Sequence, residues 1–150
     1  MFVSFPHLLE SDEEFTINQS ESLTGKLGLL NHENTSQNYS ITTWLLNQSQ
    51  VYNDTTAMNE TIIHHFLFLD NHSVFLNDTR VDLSLPLIPQ WVTNISYVFD
   101  DPGQYHLIFL VHTSPLQHFT KYEEYQYLAE LLRSTADVEQ DYRLLISEGE

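Results

Sequence analysis

The chain contains no cysteine, which excludes disulfides, thiolate metal sites and cysteine nucleophiles in one step. Small exported domains often rely on disulfides, so a domain without them must hold together by core packing. Positive charge is also scarce: five Lys and Arg stand against 21 Asp and Glu, a formal charge of −16. That charge repels phosphate backbones and anionic headgroups, so nucleic acid is not an expected partner. No apolar run approaches the ~20 residues that cross a bilayer, and direct membrane insertion by these residues is not expected. Met1–Glu10 lacks the basic start and long apolar stretch of a signal peptide. The expectation is a chain whose export signal has been removed, or a domain of a longer, anchored protein.

What remains is 150 residues, 41% apolar and 13% aromatic, enough to bury one sizeable core and offset chain entropy. A single domain over residues 1–150 is expected. Solubility of a surface protein is the first reading of the acidity, ahead of a saline habitat or weak collection of divalent cations.

The asparagines carry the strongest signal. Of ten, nine begin Asn-x-Ser/Thr with x not proline: Asn18, Asn34, Asn38, Asn47, Asn53, Asn59, Asn71, Asn77 and Asn94. With 13 serines and 13 threonines in the chain, roughly two of ten would fall in the motif by chance. Asn, Ser and Thr co-occur in turn-rich proteins, but that would leave many Asn outside the motif, and here only Asn31 is. The nine are therefore read as N-glycosylation acceptors, which implies an extracellular or cell-surface location, because the transferases act outside the cytosol.

Between the Asn-rich loops lie short β-type runs. Ser22–Asn31 places Leu23, Leu27 and Leu29 on one parity and Lys26 on the other, as a half-buried strand requires. Asn38–Asn47 aligns Tyr39, Ile41, Thr43 and Leu45, with Val51–Tyr52 as a short returning partner. Thr61–Leu69 is apolar on both parities apart from His64 and His65, and reads as a strand covered on both sides. Arg80–Leu87 alternates cleanly. Trp91–Phe99 turns Trp91, Ile95, Tyr97 and Phe99 inward and Asn94 and Ser96 outward.

Asp101-Pro102-Gly103-Gln104 is a turn signal, since proline presets φ and glycine supplies positive φ. It predicts an antiparallel hairpin joining Trp91–Phe99 to Gln104–His112, whose Tyr105, Leu107, Phe109 and Val111 share a face. Residues 121–133 (KYEEYQYLAELLR) have helical spacing, and Asp141–Ser147 is read as a closing strand. Regularly spaced short strands with one late helix predict a mainly β fold, an immunoglobulin-like antiparallel β-sandwich.

Asn31-His32-Glu33 at a strand end, the alternating strand through Tyr39-Ser40-Ile41, Trp91 opening a strand, Gly103 in the turn after it and the apolar His106–Val111 run together resemble an archaeal family. It is domain-of-unknown-function family sixteen-sixteen. Members resemble a helical membrane part followed by an external β domain, and this chain is similar to the external part. The resemblance implies an archaeal envelope location and brings no catalytic residues.

Metal and catalytic alternatives are weaker. His64 and His65 would point to opposite faces of a strand, and His106 and His112 would stand ~20 Å apart on one face. No metal site is expected from the histidines. Asp70-Asn71-His72, Asn77-Asp78 and Asp100-Asp101 suggest calcium oxygen ligands but lack the glycine and terminal Glu of an EF-hand loop. Asn31-His32-Glu33 is read as a hydrogen-bonded corner. Trp91, on the core parity, and Trp44, on the opposite one and so either exposed or meeting a second layer, are the candidate sugar platforms, with core or interface packing the preferred reading of both.

The combined expectation is a non-enzymatic, heavily N-glycosylated archaeal cell-surface structural protein, a surface-layer or filament subunit. The alternative is an extracellular ligand- or carbohydrate-binding sensor module. Partners would be further copies or other envelope proteins. No cofactor is expected beyond covalent N-linked glycans, with calcium as the alternative. Phe2-Val3-Ser4-Phe5 would either form the first strand of its own sandwich or complete the sheet edge of a neighbour.

Overall fold

The computed structural model describes residues 1–5, 14–30, 36–77, 90–113 and 125–148. Arg80–Leu87, the Asn31-His32-Glu33 corner, Asp78 and Lys121–Glu124 lie outside the described residues.

The fold is mainly β, in two sheets with one helix among the described residues. The smaller sheet has the order β1-β3-β6, from β1 (Phe2–Ser4), β3 (Ser22–Leu29) and β6 (Trp91–Val98). The larger has the order β2-β8-β7-β4-β5. Its strands are β2 (Glu14–Asn18), β4 (Gln37–Asn53), β5 (Met58–Leu76), β7 (Gly103–His112) and β8 (Val138–Ser147), and α1 spans Tyr125–Thr135. All pairings are antiparallel except β2 with β8.

The predicted alternations produce the main core. Leu23 and Leu27 of β3, Ile95 and Tyr97 of β6, Tyr39, Ile41 and Leu45 of β4, and Leu107, Phe109 and Val111 of β7 meet in one buried cluster between the sheets. Even-numbered positions of the central strands face the other way. Trp44, Leu46, Ile108 and Leu110 form a second cluster with Phe66 and with Ala129 and Leu132 of α1. The helix covers this second face, which is why β4 and β7 are apolar on both parities. Trp44 thus lies in a second layer, stacked on Phe66 with ring centroids 4.4 Å apart, and is not a sugar platform.

The first segment pairs with its own sandwich. Phe2–Ser4 runs antiparallel to Lys26–Gly28, and Phe5 is buried against Phe15 and Tyr142. Gly25 makes room for it, since a Cβ there would run into the Ser4 carbonyl oxygen and the Phe5 ring. The closing strand is present as β8, and the described part of the helix spans Tyr125–Thr135.

Three expectations are corrected. Trp91–Phe99 and Gln104–His112 do not form a hairpin: β6 pairs with β3, and β7 with β4 and β8. Both strands carry an apolar inner face, and placing them in opposite sheets buries each face against the other. The Asp100–Pro102 link therefore crosses between layers. Gly103 keeps its conformational role, with φ of 152° at the first residue of β7 and the Tyr105 ring 3.2 Å from where a Cβ would stand.

Second, Val51–Tyr52 is not a returning partner but the far end of the uninterrupted β4. The β4–β7 pairing stops at Leu46, while the β4–β5 pairing continues to Asn53 and Met58. The hairpin so extends past the sandwich as a two-stranded arm.

Third, Thr61–Leu69 is not covered on both sides. It belongs to β5, which stands at the edge of the larger sheet among the described residues, and Leu67 and Phe68 are about half exposed, at 47% and 48%. Its register slips twice, leaving Leu69 and His64 as extra residues. Each bulge inverts the parity, so Phe66 and Phe68 share a face with Asn71 and Ser73. That break in alternation is what made the segment look apolar on both sides.

Candidate functional site

Eight of the nine sequon asparagines fall within the described residues, and Asn34 lies outside them. Asn18, Asn38, Asn59, Asn71, Asn77 and Asn94 are exposed, and Asn47 and Asn53 are half-buried. Local alternation explains this placement. Asn18 ends β2 on the parity opposite to buried Phe15 and Ile17, and Asn94 on β6 precedes buried Ile95. Asn38, the second residue of β4, precedes buried Tyr39. Asn53 and Asn59 stand on the arm, past the end of the β4–β7 pairing. Asn38, Asn47, Asn53, Asn59, Asn71 and Asn77 all belong to the β4–β5 hairpin or its immediate end, whereas residues 95–150 contain no asparagine.

Several amides are already oriented. Asn71 Oδ1 accepts from Ser40 Oγ at 3.1 Å, and Asn18 Oδ1 from Ser147 Oγ at 2.8 Å. Asn53 Oδ1 accepts from the Thr55 backbone N–H at 2.9 Å while its Nδ2 donates to Glu60 Oε1 at 2.7 Å. Holding the oxygen fixes the direction of Nδ2, the atom to which a sugar is joined. A substituted Nδ2 keeps one hydrogen, so the Asn53–Glu60 bond is compatible with modification.

The remaining polar groups mostly tie layers together. Asp70 accepts from His72 Nε2 at 2.9 Å. The buried Tyr97 hydroxyl donates toward Thr43 Oγ1 at 3.2 Å, with Asp70 Oδ2 at 3.5 Å. Burial above all, with the negative charge of Asp70, pushes the Tyr97 phenol up to about 12, against the opposing effect of the Thr43 bond. Buried His112 donates from Nε2 to the Leu132 carbonyl at 3.0 Å, fastening the end of α1 to β7. Among the described residues, no three His, Asp or Glu side chains converge as ligands.

Individual candidates separate accordingly. Asp70 and His72 bond each other, and the Asp100 carboxylate accepts from Ser20 Oγ at 3.4 Å. His64 bonds Ser49 Oγ at 2.7 Å. Ser49 shares its strand face with Asn47, which stands opposite His65. The bulge at His64 thus turns two adjacent histidines toward one side, contrary to simple alternation. Trp91 is partly buried against the main core, its ring 5.5 Å from that of His72.

Sequence reading missed a polar concavity of about 250 Å3 on the outer face of the larger sheet, with Glu14, Gln48, His106 and Arg143 in its lining. Glu14, Arg143 and His106 are adjacent in register across β2, β8 and β7. His106 is held between Asp141 Oδ1, 2.8 Å from Nδ1, and Gln48 Nε2, 3.3 Å from Nε2. Arg133 meets Glu139 at 2.6 Å and Asp141 at 3.7 Å. Among the described residues neither ring nitrogen of His106 meets a hydroxyl. The shared outward parity of His106 and Arg143 was legible, but their adjacency needed the register.

Comparison with protein-family models, with curated proteins and with solved structures finds no match to this chain.

Proposed function

We propose that this chain is a non-enzymatic, N-glycosylated structural module of an archaeal cell envelope, acting in a surface layer or filament. The observation that carries the reading is the sequon array. Nine of ten asparagines lie in the motif, and every one within the described residues is exposed or half-buried. The resemblance to an archaeal external β domain supports the same location.

The finer architecture proposed is immunoglobulin-like. The first two strands divide between the sheets, β1 joining β3-β6 and β2 running parallel to β8, while β8-β7-β4-β5 form the opposite layer. This arrangement suits the two-sheet division of that fold, with β5 in the place of the extra strand of variable-type domains.

Glycopeptide mass spectrometry of the protein made in an N-glycosylating archaeal host tests the reading, with most of the nine sites expected to carry sugar. Occupancy at fewer than about three would overturn it. Ordered multimers under the electron microscope would support the structural role. The concavity beside His106 and Arg143 favours one second reading, a ligand- or sugar-binding module, which would stay monomeric.

A further inference from the structure

The β4–β5 register makes a specific match between sequons and exposed apolar side chains. Met58, Tyr52 and Phe75 are the most exposed large hydrophobic residues among those described, at 65%, 59% and 59%. Their cross-strand partners are Asn53, Asn59 and Asn38, each a sequon asparagine. The other two sequon asparagines within these strands, Asn47 and Asn71, face His65 and Thr42.

Directly opposed residues of an antiparallel pair project from the same face, with Cβ atoms about 5 Å apart. A sugar joined to Nδ2 therefore starts beside the neighbouring ring or thioether. A pyranose ring presents a face of C–H groups, which gains by leaving water against an aromatic or aliphatic surface. Asn53 with Met58 and Asn59 with Tyr52 lie on opposite faces of the arm, so one sugar serves each side. Asn38 with Phe75 repeats the arrangement at the other end of the hairpin.

We infer that N-linked sugars on Asn38, Asn53 and Asn59 pack over Phe75, Met58 and Tyr52, making the chain's own glycans the cover of the three most exposed apolar residues of this hairpin. The inference rests on the glycosylation proposed above and adds to it a packing partner for each sugar. It also bears on how β5, a strand of 19 residues at the edge of its sheet among the described residues, carries exposed apolar side chains. Bulky sugars beside the edge hinder approach of a second sheet.

The test is a double-mutant cycle in the N-glycosylating host: wild type, Asn38→Gln, Phe75→Ala and the double variant, with the same set for Asn59→Gln and Tyr52→Ala. Among the described residues the side chains of Asn38 and Asn59 make no hydrogen bond, so each substitution removes the sugar and little else. With Asn38 and Asn59 occupied, Phe75→Ala and Tyr52→Ala should each lower the melting temperature by about 2–4 °C. In the Gln backgrounds the same alanine changes should leave it unmoved, and Asn38→Gln alone should raise binding of a hydrophobic dye. Equal alanine effects with and without sugar would overturn the packing while glycosylation stands. A dimer that needs Phe75 in both backgrounds would also overturn it, by naming a second copy as the cover. Empty Asn38 and Asn59 sites would overturn it too, and occupancy at the remaining sequons then decides whether the glycosylation reading falls with it.

Discussion

The Tyr97 hydroxyl of the smaller sheet reaches Thr43 Oγ1 of the larger one at 3.2 Å, a hydrogen bond across the main core. Thr43 is fully buried and Tyr97 nearly so, so neither group can turn to water. Tyr97→Phe keeps the ring and removes the donor. It should cost about 1–3 kcal/mol in denaturant unfolding, mostly from stranding the Thr43 hydroxyl.

The same residue makes a pH prediction. Its phenol is raised from an ordinary 10.0 to about 12 in the folded chain, chiefly by burial. The folded state thus holds this proton more tightly than the unfolded state, so its contribution is fully present below pH 10. It is lost as pH rises toward 12, because the unfolded chain gives the proton up first. Between those limits wild type should lose stability more steeply than Tyr97→Phe, measured by urea titration at each pH.

At Gly103 the backbone φ of 152° lies in a region that side chains with a Cβ avoid. Gly103→Val should destabilise by about 1–3 kcal/mol, since it must either strain this residue or displace the Tyr105 ring. An unchanged thermal midpoint would show that the inter-sheet crossing relaxes without cost.

Phe5 and Gly25 form a matched pair, the ring occupying the space that the missing Cβ leaves. Phe5→Ala should cost about 3–5 kcal/mol. Gly25→Ala should detach β1, raising amide exchange at Lys26–Gly28, where β1 pairs. Deleting residues 1–6 is expected to destabilise the monomer by opening its core, and a stable monomer after the deletion would reassign the segment to a neighbour.

His112 fastens α1 by donating to the Leu132 carbonyl, a last-turn acceptor that it shares with the Thr135 hydroxyl. His112→Ala should cost about 1–3 kcal/mol. Faster amide exchange in residues 129–135 than in β7 would locate the loss at the helix.

Sequence alone determined which side of most strands faces inward. Alternation at Leu23–Leu29, Tyr39–Leu45, Ile95–Phe99 and Leu107–Val111 survives in the folded chain because a strand's side chains must point to opposite faces. The sequon array was legible for the same kind of reason: it depends on three consecutive residues. Only the tertiary structure decided which strands pair. Pro102-Gly103 supports a change of direction whether the next strand lies beside the last or across the core, and burial of two apolar faces chose the latter. The bulges at His64 and Leu69, the position of β5 beside β4 and the opposition of Asn38 to Phe75 were likewise out of reach. Register is set by the whole sheet and the layers packed on it, and a shift of one residue exchanges the faces of a strand without altering its sequence.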